Sequence, residues 1–276
     1  MLVISKKKSN DFLNSLKFKE IENGVYFEDI KSIMYGPNDQ KFSIKTKKTI
    51  YYLASLTIAI VMIIGLVTNS SMGYQTVLGI VLEIYIIFLM TKIAIHTPPK
   101  YLSYWDYEIS RYTFVKYSYL SFFVMGYSMD SGNYWVNFLV VTLCIAVFIF
   151  LYEKAEENMI IKEINNQFKK QVKTSTVINL LLKLIGMLLL LIVIVIQFYR
   201  INRWWMADYV SLNTSDNSFT DNLIGIFIGI PMLLLITLIP TYLLFNAKKY
   251  VISYLITKNP ENFRERYDFS KKDWYQ

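Results

Sequence analysis

The stretch TVINLLLKLIGMLLLLIVIVIQFY, Thr176 to Tyr199, constrains the fold more than any other part of the chain. A helix rises about 1.5 Å per residue, so about 20 apolar residues cover a hydrocarbon layer of roughly 30 Å, and the stretch predicts a membrane-crossing helix. Lys183 lies inside it, where a charge needs a partner, water or a route to the interface.

Five more apolar runs have comparable length: about Thr49 to Thr68, Thr76 to Ile95, Tyr112 to Met129, Tyr134 to Tyr152 and Asn222 to Phe245. They account for a chain of 276 residues that is 54% hydrophobic and only 18% charged. The predicted class is an all-α polytopic membrane protein: six transmembrane helices over 49–246, a cytoplasmic β-rich segment at 1–48 and a basic cytoplasmic tail at 247–276. Every Lys and Arg except Lys183, Arg200 and Arg203 falls in segments that share one side if there are six spans. The positive-inside rule then places both termini in the cytoplasm and the protein in the cell membrane.

Between residues 1 and 48, Asn23-Gly24 sits between two partly alternating runs, the short-range signature of a two-residue β-hairpin. That register sets Ile21 opposite Tyr26 and Lys19 opposite Glu28. Pro98-Pro99 stops the second span, and Leu102, Trp105, Ile109 and Tyr112 then recur at helical spacing, predicting an amphipathic helix in the headgroup plane. Ile160, Ile164, Phe168 and Val172 predict a second amphipathic helix, and the tail from Ala247 a third that stops near Asn259-Pro260.

Glu83 and Lys183 are the charges inside apolar runs that most need explaining, and they are candidates for an intramembrane pair joining the second and fifth helices. Lys116 lies close enough to a span's end to reach the aqueous boundary. Gly225 and Gly229 form a small-xxx-small face that lets helices approach closely, and Pro231 bends the helix just beyond it. Trp204, Trp205 and Tyr209 open the one sizeable outer loop, 200–221, and are its candidate contact residues. The only histidine, His96, has no second ligand near it in sequence, so no metal site is expected, and no cofactor.

The chain has no Gly-x-Ser-x-Gly elbow, His-Glu-x-x-His, phosphate-binding Gly-rich loop or Cys-x-x-Cys, so no enzyme class is indicated. The formal charge of +8 is spread between the apolar runs, which attraction to anionic lipid explains without nucleic acid. The expected partners are the lipid bilayer and a protein, either a toxin or a membrane or cytoplasmic partner, and oligomers are compatible with the glycine face.

By layout, with FKEIENGVYFEDI (Phe18 to Ile30) directly preceding the first helix, the chain resembles the small multi-pass immunity proteins of Gram-positive bacteria, including the tandem five-transmembrane type. What the resemblance implies is a non-enzymatic protein that protects a cell from a membrane-active toxin. The competing expectation is a transporter or permease subunit using Glu83 and Lys183, and a third is a membrane scaffold or sensor.

Overall fold

A computed structural model describes residues 7–22, 24–36, 44–68, 74–126, 134–206 and 235–275, and every α, 3₁₀ or β element among them is helical. In chain order the helices are α1 (Lys7–Ser15), α2 (Phe18–Glu22), α3 (Phe27–Met34), α4 (Ile44–Thr68), α5 (Tyr74–Ile95), a 3₁₀ turn at Lys100–Leu102, α6 (Ser103–Gly126), α7 (Tyr134–Phe168) and α8 (Thr176–Met206). After residues 207–234 come α9 (Ile239–Leu244), α10 (Ala247–Lys258), α11 (Pro260–Arg266) and α12 (Lys271–Tyr275).

No helix among the described residues is long and apolar enough to cross a membrane. This overturns the six-transmembrane architecture and, with it, the multi-pass membrane class, the cell-membrane location and the cytoplasmic assignment of the two ends. Several of these helices run past the apolar stretches into charged sequence. Helix α4 opens with Lys45, Lys47 and Lys48, and α6 carries Asp106, Glu108 and Arg111 ahead of Lys116. Helix α7 runs without a break from Tyr134 through Glu153, Lys154, Glu156 and Glu157. Of the sixth run, residues 222–234 lie outside the described residues.

The β-hairpin is also corrected, because Phe18–Glu22 and Phe27–Met34 form α2 and α3. Ile30, Ile33 and Met34, spaced three and four apart, bury one helical face, which outweighs the partial alternation. Gly24 ends α2, its amide donating to the Ile21 carbonyl at 3.0 Å. A Cβ there would lie 2.6 Å from the Phe168 ring, so glycine permits the close approach of that ring. Ile21 is buried and Tyr26 exposed, so the two do not form a facing pair. Gly36 closes α3 at φ +76°, with the Tyr104 ring filling the space a side chain would take.

The two chain ends share one core. Leu13, Ile21, Ile30 and Ile33 from α1–α3 pack with Val251, Leu255, Phe263 and Trp274 from α10–α12, over Trp105 and Ile109 of α6 and Ile160 and Ile164 of α7. Lys258 Nζ donates to the carbonyls of Leu13, Asn14 and Leu16, satisfying the open end of α1. Trp274 stacks on Tyr101 with ring centroids 4.9 Å apart. The face expected to lie on headgroups, Leu102 to Tyr112, is instead part of the floor of this core, together with Ile160 and Ile164 of the second amphipathic helix.

Below this head, α4, α5 and α6 pack in succession, and α7 meets α8. Ile86, Leu89, Met90 and Ile93 of α5 close against Tyr51, Tyr52, Phe114 and Tyr117, while Phe148, Tyr152, Ile178, Ile185 and Leu238 make a second apolar cluster. At the top of α4, buried Lys48 donates to the His96 carbonyl at 3.1 Å and pairs with buried Asp106, tying α4, the end of α5 and α6 together.

Candidate functional site

A cavity of about 980 Å³ opens where the head meets the longer helices, with walls from α6, α7, α8, α9 and the start of α10. Its apolar side includes Leu182, Leu244 and Phe245, and its polar side includes Glu108, Arg111, Lys162, Glu163, Lys183 and Lys248.

The wall at the α7–α8 junction is held by side-chain amides. Lys169, at φ 51°, ends α7 in the left-handed region, and the next residues fold back along the helix. The Asn165 amide pairs with the Val172 backbone in both directions, at 2.7 and 2.9 Å. Asn158 accepts from the Ser175 amide and donates to Asn179, each at 2.8 Å, and Asn179 donates to Thr174 at 3.1 Å. These asparagines line the cavity, yet their hydrogen-bonding groups are committed to fixing the connection in place. On the opposite side, Asn246 caps α10 by accepting from the Lys249 amide at 3.0 Å.

Behind the wall lies a buried polar knot. Lys116 Nζ meets Glu156 at 2.8 Å, the Tyr112 hydroxyl donates to the same carboxylate, and that hydroxyl lies 3.0 Å from Thr241 Oγ1. Lys116 also stands over the Tyr112 ring, 5.0 Å from its centroid, and the Tyr117 ring, at 4.9 Å. Burial, and then the Glu156 charge, push the Tyr112 phenol well above its ordinary range, so it is a donor at any physiological pH. Three of its four members sit one or two residues from the lining: Tyr112 beside Arg111, Thr241 beside Tyr242, Glu156 just before Asn158. The knot therefore locks α6, α7 and α9 in register around the cavity. Lys116, expected to reach outward, turns inward.

The charged groups on the lining differ in how they are satisfied. Glu108 is paired with Lys249 at 2.8 Å and Lys248 with Asp29 at 2.6 Å. Arg111 is half-buried, its Nε is enclosed, and it makes no hydrogen bond or ion pair among the described residues. Lys162, Lys183 and Glu163 also have no ion pair there.

Lys183 thus lines a cavity, whereas Glu83 is buried on α5, and no ion pair among the described residues joins the two. Trp204 and Trp205 continue α8 and do not begin a loop. Tyr209, Gly225, Gly229 and Pro231 lie outside the described residues. His96 is on the surface after α5, its ring pKa lowered mainly by partial burial. No cluster of three metal-ligating side chains occurs among the described residues. Sequence reasoning missed Arg111, Lys162 and the Tyr112–Lys116–Glu156 knot; the available signal was Lys116 within an apolar run, a charge that has to be answered by something.

No protein-family model, curated protein or solved structure matches this chain.

Proposed function

We propose that this is a non-enzymatic binding protein, and that the cavity between α6, α7, α8 and α9 holds a small polar ligand. One observation carries the reading: a cavity of about 980 Å³, at the upper end of the ordinary size range for ligand sites, has its walls braced by side chains committed to one another. Bracing of this kind keeps a concave site open before a ligand arrives and lowers the ordering cost of binding.

Differential scanning fluorimetry tests this with a panel of sugars, polyols, amino acids and phosphate esters on the wild type and on Asn166→Trp. Asn166 is exposed on the cavity lining, so an indole there fills space at little cost to folding. The expected result is a melting shift for at least one ligand class that Asn166→Trp abolishes. A panel that leaves the wild type unmoved, or moves both proteins equally, overturns the reading.

A further inference from the structure

Resting on that reading, we propose that the cavity's ligand carries a phosphate-type oxyanion, received by Arg111 with Lys162 and Lys183. Paired charges on the lining cancel locally, Glu108 against Lys249 and Lys248 against Asp29. The three cations Arg111, Lys162 and Lys183 then face a single uncommitted carboxylate, Glu163, leaving the lining with a positive excess.

Arg111 decides the chemistry. A half-buried guanidinium with an enclosed Nε has lost part of its hydration, and no carboxylate among the described residues replaces it. Its polar neighbours on α6 are already committed: Tyr112 in the knot, Asp106 to Lys48 and Glu108, on the same lining, to Lys249. A guanidinium offers a planar fork of donors that matches two oxygens of a tetrahedral oxyanion. Lys162 and Lys183, long and exposed on α7 and α8, reach the same space as point charges. A dianion meets this excess better than a monoanionic carboxylate does. The apolar side, Leu182, Leu244 and Phe245, is left for the ligand's carbon skeleton.

The experiment is isothermal titration calorimetry of the full chain at 0.15 M ionic strength with inorganic phosphate, glycerol 3-phosphate, short-chain dihexanoyl phosphatidic acid, acetate and glycerol. The phosphate-bearing probes should bind more tightly than acetate, and glycerol not at all. Arg111→Gln should weaken phosphate-ester binding about tenfold or more, as loss of a charge-assisted hydrogen bond implies. The double variant Lys162→Gln/Lys183→Gln should weaken it by a similar factor. Lys154→Gln, an exposed α7 cation off the lining, should change nothing.

Tighter binding of glycerol 3-phosphate than of the short-chain lipid identifies a soluble ester as the source, and the reverse order a lipid headgroup; both support the proposal. Should Arg111→Gln fail to fold, the double lysine variant decides alone, since both side chains are exposed. Phosphate affinity unchanged in the variants overturns the proposal. So does a neutral ligand that binds wild type and loses binding only in Asn166→Trp, a result that leaves the binding-protein reading standing.

Discussion

The head and the five long helices beneath it are both rich in large apolar side chains, and they use them in opposite ways. In the head, Leu13, Ile21, Ile30, Leu255, Phe263 and Trp274 are wholly enclosed. On α4, α5, α7 and α8, residues of the same kind stand out: Phe88 is 64% exposed, Leu143 63% and Met187 68%. These are rows and not scattered residues, with Leu180, Leu184, Met187 and Leu191 following one helical stripe on α8 and Leu139, Leu143, Val147 and Phe150 another on α7. Such contiguous apolar surface marks a place where a protein meets another body. The difference teaches that apolar content alone does not say where a core is. The head gathers short helices from both chain ends around one centre, whereas each long helix has only part of its circumference covered.

The junction between the regions offers the largest effect. Lys116→Met strips Glu156 of its cation in a buried site and is expected to cost about 3–5 kcal/mol in urea unfolding. Lys116→Met/Glu156→Gln should recover much of that loss; equal destabilisation by the single and double variants would show that the pair does not hold the junction.

Within the head, Leu255→Ala should cost about 2–5 kcal/mol, because the side chain is fully enclosed and its cavity cannot collapse easily. A cost below about 1 kcal/mol would mean that the head is as loosely covered as the long helices.

A pH series sharpens the comparison further. Burial lifts the Tyr250 phenol from 10.0 to about 12, against a smaller opposing effect of its hydrogen bond to Asn10. A phenol raised on folding stabilises the protein fully below its unfolded value of 10.0, and that contribution is lost as pH rises towards about 12. Urea midpoints should therefore fall from pH 9 to 12, by on the order of 2 kcal/mol from this group, and Tyr250→Phe should flatten part of the fall.

The smallest effect belongs to the exposed rows. Leu143→Gln and Met187→Gln should change stability by no more than about 0.5 kcal/mol, against the several expected for Leu255→Ala. A loss above about 2 kcal/mol in either would show that the row is covered in solution.

Much of the helical content was legible in the residues. The α5 stop at Pro98-Pro99, the helix from Ala247 ending at Lys258, and the face Leu102, Trp105, Ile109, Tyr112 all follow from proline chemistry and threefold or fourfold spacing. What covers a face is a different question, since periodicity identifies an apolar stripe without naming its partner. The stripe on α6 is buried by α10 and Trp274, residues more than 130 positions away in the case of Tyr250. The hairpin expected at Asn23-Gly24 fails because such a dipeptide suits any tight reversal, and Gly24 here follows a short helix. Arg111 was invisible as a site residue because its significance lies in making no ion pair among the described residues, which only the three-dimensional neighbourhood reveals.

Helix α7 deserves to be seen as an axle. Its 35 residues extend about 50 Å in a single piece, with Phe168 seated on Gly24 at one end and the Leu139–Phe150 row at the other. Inserting one residue near Lys154, between that row and the lining residue Asn158, would turn the row by about 100° relative to the cavity. Angular phase between cavity and greasy flank is thus written into residue count along one rod.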